Sequence, residues 1–264
     1  MSAGAAARVV TDPLPTPRVS PWTWMTIFSR LLAIQGSWNY ETLIGNGIGF
    51  CVEPALRSLP EGVHGAAFKA AMARESAYFN AHPYLASVAV GALARAELSG
   101  VPAERIERFR TALCGPLGSV GDQLVWAGWL PFCSLVALTT FGLGARPLAV
   151  VLTFLLLYNA GHLALRVWGL HVGWTRGLGV ASALANPVLR QGPAHVARAA
   201  AAVAGLAIPL TAAHVMTGRS TLVALALVAA AVTAVLLVRL HGSVVGWKLS
   251  LVLIALFALI SVAR

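Results

Sequence analysis

Four short stretches of this chain gather side chains able to do chemistry, and what they offer is hydrogen bonding more than bond making. The first is Gln35-Gly36-Ser37-Trp38-Asn39-Tyr40-Glu41, which packs amides, a carboxylate and two aromatic rings into one turn-sized segment. Amides and acids hold paired hydroxyls and aromatic planes cover C–H faces, which suits a hydroxyl-rich ligand; the same groups also cap helix ends. In the second, Phe79-Asn80-Ala81-His82-Pro83-Tyr84, Asn80 and His82 precede a proline that opens a helix, so capping stands beside ligand contact. His82 titrates near physiological pH when unperturbed, but no acid lies beside it in sequence. The third, Gly115-Pro116-Leu117-Gly118-Ser119-Val120-Gly121-Asp122, reads as a glycine-rich turn with Asp122 capping a helix that begins near Gln123. It lacks the Lys-Ser or Lys-Thr of a phosphate-binding loop. The fourth, Tyr158-Asn159, His162 and Arg166, puts a polar stripe on one helix face, for helix-to-helix hydrogen bonding or for lining a lumen.

No catalytic triad, paired-carboxylate site or metal box can be assembled from the rest. His64, His171, His195, His214 and His241 are scattered, and Cys51, Cys114 and Cys133 lack ligand spacing and read as buried thiols. The expectation is therefore no catalytic residue, no cofactor and no metal.

The elements that must position these stretches follow from composition. Of 264 residues 58% are apolar and only 11% charged, with mean hydropathy +0.77, unlike a soluble domain. The net charge of +10 would suit nucleic acid, but the basic residues stand singly between uncharged runs, which excludes a basic binding face. Those runs are 123–145, 147–165, 199–218, 220–238 and 249–263. All but the last approach the ~20 residues that cross a bilayer, and the last would be a short or tilted span. All nine acids lie at or before Asp122. Arg105, Arg108 and Arg110, then Arg166, Arg176, Arg190 and Arg198, then Arg239 and Lys248 fall on one side of a five-span arrangement. Arg146, Arg219 and Arg264 fall on the other, which places the N-terminal half in the cytoplasm.

Before the spans, residues 1–19 hold Pro13, Pro15 and Pro17 and no signal-like apolar core, and read as a disordered cytoplasmic tail. Ser20-Pro21 starts an amphipathic helix, with Trp22, Met25, Phe28, Leu31 and Leu32 set for a membrane interface or for another protein surface. Gly36 to Pro54 suits a broken or re-entrant helix, 61–80 a polar helix, 84–96 a segment too short to span, and 102–112 a solvated helix. The predicted fold is an all-α integral membrane protein: interfacial and re-entrant helices over 20–121, then about five transmembrane helices over 122–264. Composition alone gives a membrane transporter or receptor.

At the four stretches the sequence resembles the IID subunit of the mannose/fructose/sorbose class of phosphotransferase-system permeases. The resemblance runs through Gln35 to Glu41 with Gly49-Phe50 and Pro54; Phe79 to Tyr84; Gly115 to Asp122 with Trp126; and Tyr158-Asn159, Arg166, Gly169, Gly173, Trp174 and Gly177. It implies an all-helical subunit of the cell inner membrane that pairs with a IIC subunit to form a hexose pathway. It also implies trimers of IIC–IID pairs, and sugar bound near the subunit interface. A soluble IIAB partner supplies the phosphoryl group and IID itself is not phosphorylated. Carried onto this chain, the sugar-binding residues would be Gln35, Asn39, Glu41, Asn80, His82 and Asp122. The sequence departs from the family pattern at Thr42-Leu43-Ile44, where Arg-Met-Gln is usual, and at Arg74-Glu75, where Arg-His is usual. Paired glutamates are reduced to one acid in Arg95-Ala96-Glu97. These departures motivate an alternative, an orphan IID-like regulatory or scaffolding subunit without transport.

Overall fold

Ser20 and Pro21 open the first helix as their types require: Pro21 takes the first helical position and the Ser20 hydroxyl accepts the Thr23 N–H at 3.0 Å. The structure is a computed structural model that describes residues 17–180 and 187–215 together with Ala229 and Val232. The tail up to residue 16, the run 249–263 and nearly all of 220–238 lie outside the described residues.

Helix α1 (Pro21–Leu32) buries Ile27 and Leu31 against the protein and turns Trp22, Met25 and Leu32 outward. The chain then breaks around Gly36 and resumes as α2 (Gly45–Leu56), which carries Gly45, Gly47, Gly49 and Pro54 within a regular helix. A single 3₁₀ turn (Gly62–His64) leads to α3 (Ala66–Glu75), and an irregular stretch separates this from α4 (Ala86–Leu98). Nearly every residue of α4 is buried, so this helix is wrapped by its neighbours on all sides. Its partner is α7 (Pro147–Arg176), and the two approach through small residues. A methyl at Gly173 would collide with the Val88 carbonyl, and one at Gly91 with the backbone of Leu170 and Trp174.

One long helix runs from Ala103 to Gly142, as α5 (Ala103–Gly121), a π-helical segment (Asp122–Trp129) and α6 (Leu130–Gly142). Helix α8 (Pro187–Val215) packs on α6 and on the π segment. Among the described residues three helices are long and apolar enough to cross a membrane: Ala103–Gly142, Pro147–Val180 and Arg190–Val215. The fold of the described residues is all-helical, with isolated bridges in place of strands.

Two expectations are corrected. Gly115 to Asp122 is not a turn, because the helix continues through Pro116. Ile106, Arg110, Leu113, Leu117 and Gly121 fall on one buried face, and tertiary packing along that face outweighs the low helix propensity of its glycines and proline. Asp122 consequently caps nothing and sits exposed at the start of the π segment. Arg166 does not begin a connector; α7 runs on to Arg176 and buries Arg166 in its interior, 4% exposed. Arg176 ends α7, and Arg190 and Arg198 lie on α8, so all four cations assigned to the 166–198 connector are helical.

Ion pairs tie the short helices together. Arg74 forks onto Glu97 through two bonds of 2.8 Å, joining α3 to α4, and Arg110 of α5 pairs with Glu75, which is fully buried. Arg30 reaches Glu53 at 2.7 Å and fixes α1 on α2.

Candidate functional site

Segment 77–85, the irregular link between α3 and α4, is where the four polar stretches meet. The residues that directly follow the first stretch join it by backbone bonds: the Phe79 N–H donates to the Thr42 carbonyl and the Ile44 N–H to the Phe79 carbonyl, each at 3.2 Å. The third joins it where the His82 N–H donates to the Leu117 carbonyl at 3.3 Å, and where Gly121 leaves room for the His82 side chain. A β-carbon at Gly121 would overlap the imidazole, which is the physical demand behind that glycine. The fourth arrives from α7. The Tyr158 and Tyr84 hydroxyls are 2.6 Å apart, and Arg166 donates to the Pro83 carbonyl at 3.2 Å and to the Leu31 carbonyl at the end of α1. Its guanidinium also lies 4.7 Å from the Tyr84 ring centre.

Around Tyr84 the aromatic and polar groups close into one cluster. His82 meets the Tyr84 ring edge-on at 4.9 Å and Trp126 at 4.9 Å, while His162 stacks on Tyr84 at 5.0 Å. His162 is bonded to Asn159 at 2.8 Å, and Phe154 stacks on Tyr158 at 5.5 Å.

Of the six sugar-binding residues expected from the sequence, only His82 belongs to the buried part of this cluster. Gln35, Glu41, Asn80 and Asp122 are exposed, and the half-buried Asn39 is engaged in its own loop. Its side-chain oxygen accepts the N–H groups of Glu41 and Thr42 at 2.9 and 2.8 Å, and its amide donates to Thr42 Oγ1 at 2.8 Å. That is an Asx-type turn, so Asn39 shapes the loop that presents Glu41 and Tyr40. Sequence reasoning missed the Glu75–Arg110 pair and the stacking of His162 on Tyr84. The helical spacing of Arg110 with Ile106 and Leu113 is the signal that points to its burial.

Burial, reinforced by the nearby Arg166 charge, pushes the His82 imidazole down to about 4. The ring is therefore neutral in the fold at physiological pH and is no proton carrier there. The unfolded chain protonates His82 below its ordinary 6.5 while the fold resists until about 4. The stabilisation is thus complete above pH 6.5 and lost as pH falls to about 4, a change of ~3 kcal/mol. Melting temperatures measured from pH 7 to 4 are expected to fall more steeply for the native chain than for His82→Gln.

The family model described as "PTS system mannose/fructose/sorbose family IID component" matches residues 18–224, which includes every element of the cluster. The chain belongs to this family. The mannose-specific EIID component of Escherichia coli (strain K12) is 31% identical over 175 residues, 62% of this chain and 59% of the relative. The sorbose-specific EIID component of Klebsiella pneumoniae is 30% identical over 174 residues, covering 63% and 61%. The fructose permease IID component of Bacillus subtilis (strain 168) is 28% identical over 166 residues, covering 61% and 59%. The chain thus spans about three fifths of the length of the curated relatives it matches. Among solved structures, a chain of the mannose transporter ManYZ in complex with microcin E492 matches at a TM-score of 0.55 and 25% identity, covering 73% of this chain and 71% of that one. A chain described as a membrane protein matches at 0.62 with the same identity and coverage.

Two of the three departures expected from the sequence have local partners in the fold. Glu75 is matched by Arg110, and the single acid Glu97 holds Arg74. Arg95 donates to the carbonyls of Trp174 and Thr175 at 3.0 and 2.5 Å, closing the C-terminal end of α7, where a cation is favoured.

Proposed function

We propose that this chain is the IID-type membrane subunit of a sugar permease. With a IIC membrane subunit it binds a hexose of the mannose/fructose/sorbose class and carries it across the inner membrane, and a soluble IIAB protein phosphorylates the sugar. The chain is multi-pass with its N-terminus in the cytoplasm, and it assembles as a trimer of IIC–IID pairs. Family membership supports the reading, and the single observation that carries it is the meeting of four polar stretches at segment 77–85. Leu31 and Arg166, 135 residues apart, are joined there by one hydrogen bond. Such convergence of costly polar groups beside membrane helices is expected of a pathway.

On this reading Gln35, Glu41, Asn80 and Asp122, all exposed, contact the sugar or the partner subunit at the rim of the cluster, while Asn39 and His82 hold the loops that present them. The phosphoryl group passes from the IIAB partner to the sugar without resting on this chain. His82 is buried and neutral, and burial pushes the Cys51 thiol up to about 12, so neither is a ready nucleophile.

Co-expression with the neighbouring IIC and IIAB subunits in a host lacking its own hexose permeases is expected to give phosphoenolpyruvate-dependent hexose uptake. Absence of uptake for every hexose, with all subunits present in the membrane, would overturn the proposal.

A further inference from the structure

Helix α1 lies antiparallel along the C-terminal third of α7. Arg166 donates to the Leu31 carbonyl near one end of the pair, and at the other the Trp24 and Trp174 rings meet edge-on with centres 4.8 Å apart. Between these two ties the helices leave an open groove of about 690 Å³. Trp24, Phe28 and Leu32 form one wall, and Val167, Leu170 and Trp174 the other. Measured along α7 from Val167 to Thr175 the groove is about 12 Å long.

Its place on the span says what it faces. Helix α7 has 30 residues, about 45 Å of helix against a hydrocarbon core of ~30 Å, so part of it stands at headgroup level. The uncharged run 147–165 fits the core, which leaves 167–176 at the headgroups. Leu148, Leu152, Leu156, Leu163 and Val167 are all exposed and fall on one face of α7, an apolar stripe that meets lipid and runs straight into the groove. At the far end stand Trp24, Trp174 and the exposed Trp22, of the type that settles between core and headgroups.

Charge at that end is of one sign. Arg18, two residues before the Ser20 cap, and Arg176, the last residue of α7, are exposed, and neither side chain has an ion-pair or hydrogen-bond partner among the described residues. Neither α1 nor α7 contains an acid. Arg95 of α4 is already taken up by the Trp174 and Thr175 carbonyls, which answers the negative end of α7 and leaves the other two cations free. An apolar trough open to the bilayer with a cationic rim complements an acyl tail carrying an anionic headgroup. A zwitterionic lipid would fill the trough and leave the rim unanswered.

We propose that the α1–α7 groove is a binding site for an anionic phospholipid of the cytoplasmic leaflet, with an acyl chain between Phe28 and Leu170 and the phosphate at Arg18 and Arg176. The site goes beyond the permease reading and stands without it; only the leaflet is taken from the orientation proposed above. The bound lipid fastens α1 to the end of the span.

Native mass spectrometry of the full chain in detergent, titrated with phosphatidylglycerol or phosphatidylcholine of the same acyl chains, reads the two affinities. The native chain is expected to bind phosphatidylglycerol about tenfold or more tightly than phosphatidylcholine. Arg18→Gln combined with Arg176→Gln is expected to abolish that preference and leave phosphatidylcholine binding unchanged, whereas Arg146→Gln, at the other end of α7, keeps it. Ser29→Trp, which fills the groove from an exposed position, is expected to weaken both lipids. A phosphatidylglycerol with a diazirine high on its acyl chain is expected to label residues 21–32 and 167–176 of the native chain, whichever variants fold. Equal affinity of the native chain for the two lipids, a preference that survives the double substitution, or labelling confined to other segments overturns the site. A map of the IIC–IID pair with a partner helix seated in the groove overturns it as well, and leaves the permease reading in place.

Discussion

Glu75→Leu is expected to destabilise the folded chain by about 3–5 kcal/mol, because it strands a buried guanidinium. Glu75 is fully buried, and Arg110, 4% exposed, is held by its carboxylate, by the Glu75 carbonyl at 3.2 Å and by the Ala77 carbonyl at 2.9 Å. Burial pushes the Glu75 carboxyl up, Arg110 beside it pulls it back and Glu97 adds to the rise, so without the guanidinium the buried acid would be neutral. The double variant Glu75→Leu with Arg110→Met is expected to recover most of the loss, since an apolar pair of similar volume carries no desolvation cost. Melting of detergent-solubilised protein, followed by fluorescence-detected size exclusion, distinguishes the two. A single variant that melts with the native chain would show that the pair holds nothing.

Gly173→Leu is expected to abolish the folded state outright. Helices α4 and α7 meet backbone to backbone at this position, and even a methyl would collide with the Val88 carbonyl, which cannot move without breaking α4. Overpacking a well-formed interior costs about 1–3 kcal/mol for modest insertions, and a rigid backbone neighbour leaves little room for relief. Gly173→Ala should lie between the two, with a lowered melting temperature and partial yield. The control is Gly115→Ala, where an added methyl meets nothing within 4 Å. Helix propensity there favours alanine by about 1 kcal/mol, so stability should hold or rise. Yield of monodisperse protein after extraction is the readout, and normal yield of Gly173→Leu would refute the seam.

Much of this arrangement is legible in the residue types and their spacing. Ser20-Pro21 marks the start of α1, Gly36 marks the break before α2, and the uncharged runs at 123–145 and 147–165 mark two spans. The misreadings share one cause. Gly115 to Asp122 is locally a turn by propensity, and only the buried face shared by Ile106, Leu113 and Leu117 makes it helix. Arg166 is locally a flanking cation, and only the carbonyls of Leu31 and Pro83, distant in sequence, make it an interior one. Site chemistry divides in the same way. The stretches announce themselves by residue type, but a sequence does not say that Asn39 bonds to its own loop, or that His82 rather than Glu41 lies inside the cluster.

The π segment from Asp122 to Trp129 has a consequence for inheritance as well as for shape. Its i→i+5 ladder absorbs an extra residue without breaking the helix, so α5 and α6 share one axis while their side chains run out of phase. Removing a single residue there would restore an ordinary ladder and leave α6 facing its neighbours as before, whereas a further inserted residue, left unabsorbed, would rotate everything beyond it by about 100°. Cys133 and Ala137, now buried, would swing off their partners, and the face of α6 packed on α7 and α8 would be replaced by its neighbour. An unabsorbed gain of length in this stretch is therefore read by every later turn of the helix.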